Sequence, residues 1–242
     1  GCSRTGMDGV VAGANRAALF LDFDGTLVEI AARPDAVVVP PTLPLLLGRL
    51  SQRLGGALAV VSGRPLVELD RLLPVGIVKV GDHGATIRLS PDGPLLEQPL
   101  PVPADAWRER AAAFARAWPG TLLENKAYGF ALHYRQVPEA EAPARAAMAA
   151  IIAGDPDFTL LPARMAWEVV PRGATKGTAV AALMMRAPFR GRAPVFIGDD
   201  ATDEAGMAAA RAAGGHGLRL QERFGTPAAL RAWLAQMDEC PT

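Results

Sequence analysis

The chain is poor in cysteine, has no excess of either charge and contains no long apolar run. Two cysteines occur in 242 residues, Cys2 and Cys240 at opposite ends. A single end-to-end disulfide is formally open, but two terminal thiols in a reducing cytosol is the reading that cysteine usage favours, so the expected compartment is the cytoplasm. Lys and Arg number 25, as do Asp and Glu, and no basic run is present. Nucleic acid and membrane surfaces are therefore not expected partners. No apolar stretch approaches the ~18 residues of a membrane span. The first twenty residues lack the basic start, apolar stretch and cleavage site of a secretory signal. Residues 1–6, ahead of Met7, are read as an appendage.

What the chain does have is a hydrophobic half: 50% of its residues are apolar, enough for one large domain or two modest ones. The first third alternates strand and helix signals. Short apolar runs at 17–22, 57–61 and 76–80 each end in a loop bearing Gly or Ser, and helices fit 41–54 and 65–73 between them. That is the βαβ rhythm of a doubly wound sheet. The pattern changes at Pro91–Pro94 and again over Pro99–Pro103, which read as a boundary. Beyond it come a helix at 104–118, strands at 121–125 and 128–135, a helix at 139–153, and strands at 157–161 and 165–169. From Lys176 the first rhythm returns, with helices at 175–186, 203–213 and 226–236 and strands at 194–198 and near 217–220. The expected fold is α/β: a Rossmann-like doubly wound parallel sheet, residues 1–98 and 170–242, with an inserted α+β cap of αββαββ order, residues 99–169.

Two acidic clusters stand at strand ends. Asp22-Phe23-Asp24-Gly25-Thr26 follows the run at 17–21, and Gly198-Asp199-Asp200-Ala201-Thr202-Asp203 follows Pro194–Ile197. An open α/β sheet binds its ligand beyond the C-terminal ends of its strands. Carboxylates converging there repel one another unless a cation sits between them, and an all-oxygen set suits Mg²⁺. One carboxylate of the first pair can attack phosphorus, and the other can protonate a leaving alcohol and activate water. A lone Asp-x-Asp turn more often caps a helix. The apolar strand before this one and the Gly-Thr after it favour the reactive reading.

At these residues the chain resembles the haloacid dehalogenase-type phosphatases. Asp22 to Leu27 matches their first motif, Ser62 with Gly63 and Arg64 the second, Lys176 the third, and Asp199, Asp200 and Asp203 the fourth. The resemblance implies Asp22 as nucleophile and Asp24 as acid/base. It implies Ser62, Gly63 and Lys176 around the phosphate, and Mg²⁺ on Asp22, the Asp24 backbone carbonyl and Asp199, with Asp200 and Asp203 orienting the site from behind. The position and order of the insertion, together with Gly81-Asp82-His83-Gly84, Glu124-Asn125-Lys126, Leu132-His133-Tyr134-Arg135, Glu168 and Pro171-Arg172-Gly173, resemble the trehalose-6-phosphate phosphatases among them.

That resemblance implies a sugar-phosphate substrate held by Arg64, His83, Glu124, Lys126, Arg135, Arg164 and Glu168. Glu124 and Lys126 alternate along one strand and so share a face. A solvated Glu–Lys hairpin face is the competing reading. Ala163-Arg164 departs from the Gly-Lys common in those enzymes, and Arg is a planar fork rather than a point donor. His133 and the tryptophans at 107, 118, 167 and 233 are expected to pack, and His216 to be structural. Sucrose 6-phosphate and mannosyl-3-phosphoglycerate are rival substrates, and a non-catalytic phosphate-binding regulatory module is a rival class. The expected state is a monomer.

Overall fold

The computed structural model describes residues 16–239; Cys2, Cys240 and residues 1–6 lie outside them. The chain runs through β1 (Ala17–Leu21), α1 (Thr42–Arg53), β2 (Leu58–Val61), α2 (Leu66–Leu72), β3 (Val78–Gly81) and β4 (Thr86–Ile87). It continues with α3 (Asp105–Ala117), β5 (Leu122–Asn125), β6 (Phe130–His133), α4 (Glu141–Ile151), β7 (Phe158–Ala163) and β8 (Ala166–Pro171). It returns through α5 (Lys176–Met184), β9 (Ala193–Gly198), α6 (Glu204–Ala212), β10 (His216–Arg219), α7 (Leu220–Arg223) and α8 (Pro227–Glu239).

These strands form two sheets. The first has the order β10-β9-β1-β2-β3-β4, parallel except for β4. All five residues of β1 are buried. A central parallel strand is covered on both faces, so its sequence is apolar without alternation. The chain winds from β1 through β2 to β3 on one side and from β9 to β10 on the other. The order thus reverses at β1, and the crevice for a ligand opens beyond Leu21 and Gly198. Phe20 and Phe189 stack at 5.3 Å in the core under this sheet.

The second sheet is antiparallel, β5-β6-β8-β7. One face packs on α3 and α4 through Ala111, Phe130, Leu132, Met148 and Val169, a hydrophobic cluster separate from the first. Trp107 meets Phe158 edge-on at 5.0 Å, Trp118 stacks on Phe114 and Trp233 packs on Phe224. Trp167 joins the same cluster as Trp107. The tryptophans are packing residues, as expected. Register places Glu124 opposite Ala131 and Ala131 opposite Glu168, and Leu122 opposite His133 and His133 opposite Ala166. With a period of two, these rows share the face turned away from the helices.

The expected α/β architecture and αββαββ insertion are both present. Three local readings change. The Pro91–Pro94 segment is a hairpin on the first sheet's edge: Arg88 bridges Leu95, and Leu96 N–H donates to the Ile87 carbonyl at 2.7 Å. The same turn chemistry serves a hairpin and a linker. Strand β8 runs on to Pro171. The short helix α7 follows β10 directly, with no intervening turn residues.

Candidate active site

Asp22 extends β1 into a tight turn. Its N–H donates to the Ile197 carbonyl at 3.0 Å, and the Phe23 carbonyl accepts from Thr26, Leu27 and Val28. Gly25 has φ +79°, and a Cβ there would run into the Asp199 carboxylate. Only glycine lets the turn lie this close to the second acidic cluster. Thr26 Oγ1 lies 2.9 Å from Asp22 Oδ2 and 3.0 Å from Asp199 Oδ1. Lys176 opens α5 behind a Thr175–Thr178 capping box. Its Nζ donates to Asp22 Oδ1 at 2.8 Å and Asp203 Oδ1 at 2.7 Å. Asp203 Oδ2 accepts the backbone N–H groups of Asp199 and Asp200, each at 3.0 Å.

This cluster is acidic and buried. Burial, then the charges of Asp203 and Asp199, push the Asp22 carboxyl well above its usual range against the pull of Lys176. Burial would depress the Lys176 ammonium, but Asp203 and Asp22 outweigh it and hold the group charged.

On the opposite wall, Ser62 Oγ accepts the Arg64 N–H at 3.0 Å. Arg64 clasps Asp24 with two bonds, Nε to Oδ2 at 2.7 Å and Nη2 to Oδ1 at 2.8 Å. The same guanidinium reaches Glu68 and the Pro34 carbonyl. The two carboxylates of the Asp-x-Asp turn thus diverge, one to Lys176 and the other to Arg64. Gly63 lies against the His83 ring, where any Cβ would collide.

The second sheet closes the site from above. Lys126 Nζ donates to the Gly63 carbonyl at 2.8 Å and to Glu168 Oε2 at 3.0 Å. His83 Nε2 lies 2.7 Å from the same Glu168 oxygen. Burial would raise the Glu168 carboxyl, but His83 and Lys126 overcome it and hold the group well below its usual range. Glu124 pairs with His133 at 2.8 Å. Burial pulls Glu124 up, but the His133 bond together with the charges of Lys126 and His133 outweighs it, so its carboxyl is lowered. Arg164 donates to Asp199 Oδ2 at 2.8 Å.

A cavity of about 340 Å³ lies between the sheets. It brings together Asp22, Asp24, Ser62, Gly63, Arg64, His83, Lys176 and Asp200 of the first sheet's loops with Glu124, Lys126, Arg135, Arg164 and Glu168 of the second. Asp199 and Asp203 are buried beside it. The trehalose-phosphatase family model matches residues 20–221. The chain belongs to the trehalose-phosphatase family.

This trehalose-phosphatase family member is similar to the trehalose-6-phosphate phosphatase of Escherichia coli K12, 40% identical over 218 residues covering 89% of this chain and 80% of that one. It is equally similar to a probable trehalose-phosphate phosphatase of Sinorhizobium fredii, 40% over 205 residues, 84% of this chain and 77% of the other. In fold it matches the C-terminal domain of the C. albicans trehalose-6-phosphate phosphatase with a TM-score of 0.72 at 19% identity, over 88% of this chain and 80% of that one. The chain is a phosphoric monoester hydrolase with a haloacid dehalogenase-type fold.

Asp22, Asp199 and Asp203 each offer a carboxylate oxygen, all within 4.8 Å of one another and all buried. Hard oxygen donors in an acidic cluster that Lys176 and Arg164 compensate only in part fit a divalent cation such as Mg²⁺. Asp203 Oδ2 is tied to two backbone N–H groups of its own loop, which suits it to orienting the set. Two side-chain roles in this family member escaped sequence reasoning. Thr26 joins the acidic clusters through its hydroxyl, signalled only by its place four residues after Asp22. His133, expected to pack, turns toward the cavity beside Glu124. Its signal is its even spacing along β6 from Ala131, the residue that faces Glu124. No helix among the described residues is long and apolar enough to cross a membrane.

Proposed function

We propose that the protein is a Mg²⁺-dependent phosphatase that hydrolyses trehalose 6-phosphate to trehalose and phosphate through a phospho-Asp22 intermediate. The observation that carries this reading is one cavity with a Lys176-bound Asp22 at its floor and the carboxylates Glu124 and Glu168 on the facing sheet. Asp22 attacks phosphorus, forming an Oδ–P bond as the bond to the sugar oxygen breaks. Asp24 gives that oxygen a proton and then takes one from the water that cleaves the acyl phosphate. Ser62, Gly63 and Lys176 hold the phosphoryl oxygens. Mg²⁺, when bound by Asp22, the Asp24 carbonyl and Asp199, offsets the charge of nucleophile and phosphoryl group.

Residues 99–171, two further than the sequence suggests because β8 runs on to Pro171, act as a cap on the phosphatase core that flanks them. A disaccharide offers many hydroxyls and little apolar surface, so its recognition needs charged and hydrogen-bonding groups. Glu124, Lys126, Arg135, Arg164, Glu168, His83 and Arg64 supply them. The enzyme is read as a cytoplasmic monomer. Phosphate release from trehalose 6-phosphate, glucose 6-phosphate, sucrose 6-phosphate and mannosyl-3-phosphoglycerate, with Mg²⁺ and with EDTA, tests the proposal. Trehalose 6-phosphate should turn over fastest, and EDTA should stop it. A faster rival ester would reassign the substrate. No release from any ester would leave a binding module.

A further inference from the structure

The connection between β7 and β8 is two residues long, since Ala163 pairs with Ala166. Met165 sits at φ +54°, a conformation that a side-chain-bearing residue keeps only where its surroundings enforce it. Its carbonyl accepts from Tyr134 N–H at 2.9 Å. This braced tip delivers two donors to the acidic loop of the core. Arg164 N–H donates to Asp200 Oδ2 at 3.0 Å, and its Nη2 donates to Asp199 Oδ2 at 2.8 Å. The Asp199 side chain is 1% exposed and that of Arg164 43%, so a half-exposed side chain ends on a buried carboxylate.

The other oxygen of Asp199 accepts from Thr26. Both are therefore engaged, one of them by a cation carried on the cap sheet. Asp22, Asp199, Asp200 and Asp203 meet Lys176 and Arg164, while Arg64 is occupied by Asp24. Without a divalent ion the cluster is short of positive charge. With one, the Arg164 guanidinium becomes a like charge at contact range.

We infer that Arg164 is a positioning residue that competes with the divalent cation for Asp199, standing in for the metal and tying the cap tip to the core until the metal displaces it. The inference rests on the Mg²⁺ reading above. Displacement leaves the hairpin tip held by the Arg164 N–H on Asp200 alone and turns a guanidinium toward the cavity, where an anionic phosphoryl group arrives. Metal loading then removes one of the bonds between cap and core, while those of Lys126 to Gly63 and of Glu168 to His83 remain.

Isothermal titration of Mg²⁺ into EDTA-stripped wild type, R164A and R164K, with thermal melts in EDTA and in saturating Mg²⁺, tests this. R164A should bind Mg²⁺ more tightly than wild type by about three- to tenfold, and R164K should fall between them. R164A should melt below wild type in EDTA, and the gap should close in Mg²⁺. Mg²⁺ bound equally or more weakly by R164A, or an equal melting gap in both conditions, overturns the inference while leaving the metal reading intact. R164K matching R164A would overturn the role of charge. Wild type that binds no Mg²⁺ defeats the metal reading and the inference with it.

Discussion

The two walls of the cavity are built in opposite ways. On the core wall the carboxylates Asp22, Asp199 and Asp203 have side chains at most 6% exposed, anchored at the ends of parallel strands and bound to Lys176 and Thr26. On the cap wall Glu124 and His133 are each more than a fifth exposed and sit on alternate positions of antiparallel strands. Changing a core group disturbs a buried charge network. Changing Glu124 or His133 alters one pair on a face that the helices do not cover. Chemistry common to all phosphomonoesters suits the first wall, and selection among sugars suits the second.

The strongest test of that division is Asp22→Asn. Turnover of trehalose 6-phosphate and of p-nitrophenyl phosphate should both fall by roughly a thousandfold or more, with melting temperature retained. Loss on the sugar ester alone would erase the contrast between walls. Lys176→Ala should cost about 3–5 kcal/mol of stability, because removing one partner strands Asp22 and Asp203 as buried charges. Urea denaturation in EDTA measures this, and a cost below that of Lys126→Ala would invert the comparison.

Glu124→Ala should lower kcat/KM for trehalose 6-phosphate by about ten- to hundredfold, the effect of an unpaired buried polar group. Its rate on p-nitrophenyl phosphate, which carries no sugar, should be nearly unchanged. Equal losses on both substrates would make Glu124 a support of fold or closure. The smallest effect is remote from both walls. Arg88, with Lys79, holds the Asp70 carboxyl down at about 2. A carboxyl lower in the folded state contributes stability above its unfolded value of about 3.9, and that stability fades as pH falls toward its folded value. The Asp70 side chain is 40% exposed, so solvent screening limits its worth to about 1 kcal/mol or less. The stability gap between wild type and Asp70→Asn should be level near neutrality and shrink between about pH 4 and pH 2. A gap that grows in acid would contradict the pairing.

The strand ends were legible because an apolar run followed by an acidic, glycine-bearing loop is a local pattern. So was the αββαββ insertion, whose helices and strands differ in period. What escaped depends on register and on distant pairings. Arg64 reaches Asp24, forty positions away in sequence, and nothing local at either residue announces the clasp. His133 reads as packing until β6 is set against β5, and a one-residue slip would turn it to the helices. Strand β4 has two residues, too few to show a period. Pro91–Pro94 misled because turn chemistry does not tell a hairpin from an exit.

Strand β1 lies between β2 and β9, and that placement bears on the order in which a ribosome delivers the chain. The four cap strands all emerge within residues 122–171, and their pairings are complete once Pro171 is out. Strand β1, wholly apolar and buried, must wait for Ala193–Gly198 before its second edge is paired. Through most of synthesis that edge is an open row of amide donors and acceptors. Nascent chains stalled between Pro171 and Ala193 would carry a finished cap on an unsealed sheet, whose open edge is exposed to aggregation.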